Sequence, residues 1–352
     1  MGLLDIFSRT RSHKESVVLI DIGTEAVTGA YAHYVEGTPP TIVYTHRVPL
    51  ETRSGELSEQ SMLRALKALV DTLIREGAPA LVRVAGTGNA RLILVSVDAP
   101  WQETTVRKEL FEESEAFVFT RGRITERLEK THTASTEKML ADESIIGTIL
   151  NGYETRNPYG KKVHRASVIV LTSLIERRIA SGILSILGHA YHTKDILPIA
   201  GSSLRYQVMR NVFPHERDAI VLDATSPELP AISLIRRGLF VSLVQTPLTS
   251  HTEEAWTEAV TSELTTMAKQ YPLPRTIFLL VRESDMELYR KRVDALSFAS
   301  LWLSDNPPKI VPVLQSNMAS SVKQATVPPA DITMLFMALF YQYRHRQLEE
   351  SM

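Results

Sequence analysis

An α/β fold assembled twice from one strand pattern is what this sequence predicts, on three observations. First, the apolar run Val17-Val18-Leu19-Ile20 ends in Asp21-Ile22-Gly23-Thr24 and returns through Glu25-Ala26-Val27-Thr28-Gly29-Ala30-Tyr31, which reads as a buried strand, a tight glycine-bearing turn and a second strand. Second, the same order comes back later: Ala219-Ile220-Val221-Leu222-Asp223, then strands at residues 231–236 and 239–245. Third, a stretch with a different rhythm, strand-helix-strand-strand, separates the two copies. Self-similarity on this scale marks a duplicated unit.

The elements follow in order. After the opening hairpin, residues 41–48 read as a third strand. Ser58 to Glu76 is an amphipathic helix with Met62, Leu66, Leu69, Val70 and Leu73 on one face and Gly77 as its C-cap. Gly86-Thr87-Gly88 is a turn, since no helix pattern follows it as a dinucleotide loop requires. The new pattern opens at Leu92-Ile93-Leu94-Val95-Ser96-Val97. It continues through Pro100-Trp101, a polar strand at 104–110, a helix from about Thr120 to Leu140, and strands at 144–154 and 162–172. A helix at 173–187, closed by Gly188, leads into Ile196-Leu197-Pro198-Ile199-Ala200-Gly201-Ser202-Ser203. One helix, at about 252–270 with Trp256, Val260, Leu264 and Met267 at core spacing, fills the interval before the strand Thr276-Ile277-Phe278-Leu279-Leu280-Val281. The apolar run 332–344 reads as a closing helix packed in a core.

Composition bounds the function. The 352 residues, 44% hydrophobic and 22% charged, suffice for two or three domains of an ordinary soluble protein. With 39 basic against 40 acidic residues, and no Lys/Arg block, there is no field to favour nucleic acid. Zero cysteines exclude disulfides and Cys-ligated metal, and the ten histidines show no ligand spacing, so no metal site is expected. No apolar run is long enough to span a bilayer and no signal peptide is seen, which points to the cytoplasm. In residues 1–15, expected to be a flexible segment, Leu3, Leu4, Ile6 and Phe7 stand beside Arg9, Arg11, His13 and Lys14. Both a frayed terminus and a peripheral membrane contact stay open there.

At the strand end, Asp21, Gly23 and Thr24 set a carboxylate, a flexible backbone and a hydroxyl where a polyphosphate and its Mg²⁺ can sit. This segment resembles the first phosphate loop of the actin-like ATPase superfamily, and in particular the FtsA and PilM families. Further likeness lies in Phe117-Val118-Phe119-Thr120 entering a helix, in Thr148-Ile149-Leu150-Asn151-Gly152-Tyr153, in Asn157-Pro158-Tyr159-Gly160, and in 196–203, which resembles the family's connecting helix. The resemblance implies an actin-like (ribonuclease H-like) duplicated fold with an inserted strand-helix-strand-strand module. The domain plan is then a first subdomain at 16–85 plus 316–352, the module at 86–172, and a second subdomain at 173–315 that lacks most of the usual inserted subdomain.

The other two nucleotide loops depart from the pattern. The second should be glycine-rich, but the chain has Asp223-Ala224-Thr225-Ser226-Pro227-Glu228-Leu229-Pro230; the adenosine loop should carry glycines, but reads Arg282-Glu283-Ser284-Asp285. Backbone N–H groups must approach phosphates without Cβ atoms in the way, Pro227 removes a donor, and Glu228 adds a like charge. Asp21, Gly23, Thr24 and Thr225 are therefore read as vestigial cofactor-binding positions of a pseudo-ATPase with no bound cofactor, ATP and Mg²⁺ entering only if the remnant still binds. Were the chain active, Asp21 and Asp223 would hold the Mg²⁺ and its attacking water. What the resemblance implies instead is a PilM-like scaffold at the cytoplasmic face of the inner membrane, docking a membrane partner's cytoplasmic peptide in type IV pilus or secretion assembly. A divergent FtsA-like division protein and an active ATPase are the alternatives, and association with its own copies stays open. Trp101, Phe117, Phe119 and Tyr153 are the residues expected to line the partner groove.

Overall fold

The computed structural model describes residues 14–349, apart from 52, 54, 55, 57, 132–136, 156, 227, 249, 251, 297–300 and 302–306, and apart from the side chains of 131 and 345–349. The N-terminal expectation thus falls almost wholly outside the described residues.

Strands β1 (Lys14–Ile22), β2 (Ala26–Val35) and β3 (Thr41–Pro49) form an antiparallel meander in which Asp21 faces Thr28 across the pair. Strand β4 (Leu92–Val97) joins parallel to β1, and β9 (Ile196–Ala200) parallel to β4. The short β15 (Lys323–Gln324) closes the other edge, giving the order β15-β3-β2-β1-β4-β9. Residues Val17 to Ile20 of β1 are apolar without alternation because helices cover both faces. Val18, Ile20 and Ile22 enter one core with helix α1 (Ser58–Thr72) and helix α4 (Arg177–Tyr191), while Val17 and Leu19 enter a second with α5 (Gly201–Val212) and α8 (Ile332–Glu349).

The second half repeats the first. Strands β10 (Ala219–Asp223), β11 (Ala231–Arg236) and β12 (Leu239–Gln245) form the meander, and β13 (Thr276–Leu280) and β14 (Lys309–Pro312) add in parallel. The order β12-β11-β10-β13-β14 matches β3-β2-β1-β4-β9 strand for strand. The two-residue turn between β11 and β12 takes Arg237 and Gly238 at φ 53° and 77°, the left-handed pair that a tight hairpin needs. Helix α6 (Glu253–Gln270) starts where the Thr252 hydroxyl accepts from the Ala255 amide at 3.2 Å, and it buries Trp256, Val260, Leu264 and Met267 against this sheet. This is the actin-like duplicated fold.

Between the halves lie β5 (Gln102–Val118), α3 (Arg121–Thr131), β6 (Lys138–Leu150), β7 (Tyr153–Glu154) and β8 (Lys162–Glu176), a separate sheet in the order β5-β8-β6-β7 with a small core of its own. Five expectations about local structure are corrected. Leu92–Val97 is not the module's first strand: buried throughout and apolar except at Ser96, it fits the interior of the six-stranded sheet, where it pairs with β1. The module helix ends at Thr131 rather than near Leu140, and residues from 138 extend β6. Ile196–Ala200 is a strand and only Gly201 begins the helix, while residues 173–176 end β8 rather than begin α4. Gly77 is not a C-cap: the helix runs on through a π-turn (Leu73–Gly77) into α2 (Ala78–Ala85), ending at Gly86 with φ 75°. Glycine is required at 77 because a Cβ there would meet the Tyr31 ring at 2.7 Å. Helix α7 (Met286–Asp294) completes the second lobe. Helix α8 closes the chain as expected, with Met334 to Tyr341 buried and Tyr34 donating to the Ala338 carbonyl at 3.2 Å.

Candidate functional site

The duplication carries a carboxylate to the same place twice. Asp21 is the penultimate residue of β1 and Asp223 the last of β10, and both reach a cleft of about 260 Å³ between the halves. Register makes the correspondence explicit: Asp21 lies beside Ser96 of β4, and Asp223 beside Leu280 of β13. Two residues further on, Asp98 and Arg282 therefore stand at matching positions with opposite charge, and both line the cleft.

Arg205, five residues into α5, fills the space between the carboxylates. Its two Nη groups donate to Asp98 at 2.7 and 2.9 Å, and its Nε lies 2.6 Å from Asp223 Oδ2. The guanidinium is buried, and burial alone would weaken its hold on the proton; Asp223 and Asp98 more than offset that and hold its pKa above the ordinary arginine value. Asp21 has no such counter-charge of its own. Burial first, and then the Asp98 charge, push its carboxyl up to about 8 against the pull of Arg205, so it is protonated at neutral pH. Its Oδ1 is shielded from solvent without a hydrogen-bond partner among the described residues.

The loops are spent on themselves. Gly23 donates its amide to the Ala26 carbonyl at 3.1 Å, and Trp101 donates its indole N–H to the Gly23 carbonyl at 2.8 Å. In the second loop, the Thr225 amide and hydroxyl both donate to Asp223 Oδ1, at 3.0 and 2.6 Å, and the Ala224 amide donates to the Leu280 carbonyl at 2.8 Å. Thr24 and Ser226 bond hydroxyl to hydroxyl across the cleft mouth, and Arg282 pairs with Glu25 across the same opening. Arg47 adds weaker contacts to Glu25 at 3.8 Å and to Asp331, the N-terminal cap of α8, at 4.0 Å.

Mg-nucleotide does not fit this residue set. The amides of Gly23, Ala224 and Thr225 already donate inside the protein, and the cleft's buried cation, Arg205, is taken up by Asp98 and Asp223. Among the described residues no group of three or more acidic or imidazole side chains is arranged to hold a metal ion.

Of the expected site residues, the fold brings Asp21, Gly23, Thr24, Thr225 and Asp223 together. The groove-lining set is corrected. Trp101, 6% exposed, is a plug under the first loop; Phe117 and Phe119 are buried in the module's own core, Phe119 edge-on to Phe111 and stacked on Tyr159. Their aromatic spacing served packing. Tyr153, 78% exposed beside the Asn151-Gly152 turn, is the one that faces solvent. Asp98, Arg205 and Asp331 escaped sequence reading. The signals were an Asp just past a mostly apolar strand and a single arginine among the small and apolar residues of Gly201-Ser202-Ser203-Leu204-Arg205.

A duplicated α/β architecture with matching strand-end carboxylates around an interlobe cleft defines a protein of the actin-like ATPase fold. A solved structure described as the PilM-PilN type IV pilus biogenesis complex is similar to this chain with a TM-score of 0.57 at 13% identity, over 96% of this chain and 99% of that one. Similar too are a Bacteroides thetaiotaomicron protein with an actin-like ATPase fold and unknown function (TM-score 0.47, 10% identity, 97% and 99% covered) and the cytoplasmic domain of EpsL, an inner-membrane component of the Vibrio cholerae type II secretion system (0.39, 8%, 93% and 95%). No family model and no curated protein matches the sequence. Among the described residues no helix is long and apolar enough to cross a membrane.

Proposed function

We propose that the chain is a non-catalytic, PilM-like scaffold that works at the cytoplasmic face of the inner membrane and docks the cytoplasmic peptide of a membrane partner in pilus or secretion assembly. The observation that carries this reading is the self-bonded cleft: Arg205 lies between Asp98 and Asp223, and the loop amides are paired within the chain. A catalytic actin-like ATPase needs those groups free for phosphate and metal. The likeness in fold to a type IV pilus biogenesis complex supports this choice of partner class. Tyr153, exposed on the module, is the aromatic anchor this reading assigns to the partner face.

Calorimetry with Mg-ATP, together with binding of synthetic peptides from the cytoplasmic ends of membrane proteins encoded beside this one, tests it. The expected result is no saturable nucleotide heat, and peptide binding that Tyr153→Ala weakens about tenfold or more. Micromolar Mg-ATP affinity with turnover that requires Asp21 and Asp223 would favour the active ATPase. Peptide binding indifferent to Tyr153 would move the partner face elsewhere.

A further inference from the structure

The cleft holds a cation already, and it is part of the chain. Arg205 reaches from α5 to Asp98, just past β4 of the first repeat, and to Asp223, the end of β10 in the second. One guanidinium thus touches both halves of the duplication from the helix between them. The contact is built rather than incidental. Asp98 lies directly over the start of α5, where a Cβ on Gly201 would come within 2.3 Å of Oδ1, so residue 201 has to be glycine for the carboxylate to sit there. Asp223 is steadied from its other oxygen by Thr225. Two carboxylates in bidentate and end-on array are the geometry a planar fork satisfies and a point charge does not.

We propose that Arg205 is a built-in ligand that locks the two lobes together, in the place where a nucleotide-binding relative needs an exogenous one, so that the lobe spacing is fixed without any small molecule. This rests on the reading of the cleft as closed to nucleotide, and it adds a device to it: a guanidinium-specific site created from the protein's own side chain. Removing one member of a buried ion array leaves the remaining charges uncompensated, which is strongly destabilising, whereas replacing the whole array with neutral groups is tolerated far better. The lock therefore has a chemical signature. A truncated Arg205 leaves a cavity shaped for a guanidinium ion and lined by Asp98 and Asp223.

The test is rescue. The chain has no cysteine, so labels at Val82→Cys on α2 and Leu288→Cys on α7, both exposed and on opposite lobes, report lobe separation by pulsed electron spin resonance. Arg205→Ala should lower the melting temperature and broaden the distance distribution, and low-millimolar guanidinium chloride should reverse both where equal sodium chloride or urea does not. The Asp98→Asn, Arg205→Met, Asp223→Asn triple variant should fold and ignore guanidinium. If Arg205→Ala does not fold unaided, refolding it from urea with and without low-millimolar guanidinium gives the same answer. Loss of stability in Arg205→Ala with no guanidinium-specific recovery of stability, spacing or refolding overturns the proposal, as does equal recovery in the triple variant. A wild-type distance that narrows on adding Mg-ATP would instead count against the closed-cleft reading, and would leave the guanidinium result to be read on its own.

Discussion

The indole N–H of Trp101 donates to the carbonyl of Gly23 at 2.8 Å, tying the first loop of the cleft to the residue that opens the inserted module. Trp101 also belongs to the core built by β1, α1 and α4. Its two roles separate by substitution. Trp101→Phe keeps most of the ring and loses the hydrogen bond, an expected cost of about 1 kcal/mol, whereas Trp101→Ala also leaves a cavity and should cost about 3–5 kcal/mol in urea unfolding. An alanine variant as stable as the parent would return Trp101 to the surface role expected from sequence.

What the sequence revealed and what it hid divide along physical lines. The repeated meander was legible because a strand covered on both faces must be apolar at every position, and Val17–Ile20 and Ala219–Leu222 are. The departure of residues 223–230 and 282–285 from glycine-bearing loops was legible because only glycine leaves out the Cβ. Arg205 was not, since a helix pattern records that a residue is polar but not that two strand ends, one 107 positions earlier and one later in the chain, converge on it. Phe117 and Phe119 misled for a related reason: aromatic residues at a strand-to-helix junction look alike whether they plug a core or line a groove, and only the packing of α3 decides.

Gly201 gives a prediction opposite to helix propensity. Alanine at the first turn of α5 would ordinarily gain up to about 1 kcal/mol over glycine. Here its Cβ falls on the Asp98 carboxylate, which is paired with Arg205. Gly201→Ala should therefore destabilise the wild type, and should regain its propensity benefit in an Asp98→Ala background. A stabilising Gly201→Ala in the wild type would mean that Asp98 moves freely.

Asp21 should make stability fall as pH rises. Its ordinary carboxyl value is 3.8, and in the fold, burial and then Asp98 push it up to about 8. The folded state thus holds a proton that the unfolded chain gives up, so the stability linked to that proton is complete below about pH 4 and is lost as pH climbs through about 8. Asp21→Asn keeps the neutral shape without the titration. In urea unfolding, the stability of the Asp21→Asn variant relative to the parent should therefore change little near pH 4, rise in the variant's favour toward pH 8, and then level off. Parallel pH profiles for the two proteins would show that Asp21 is ionised in the fold.

The rim pair Glu25–Arg282 crosses the same cleft as Arg205 but should matter much less. Both side chains keep about a third of their surface in water, at 32% and 37% exposure. Exposed ion pairs gain little, because solvent screens them and two long side chains lose freedom, so the expected coupling is about 0.5 kcal/mol and falls further in high salt. A double-mutant cycle with Glu25→Gln and Arg282→Met measures it directly. The same cycle on Asp98 and Arg205 should give a coupling several times larger and nearly independent of salt. If the rim pair proved the stronger, the lobes would be held at the mouth of the cleft and not at its buried centre.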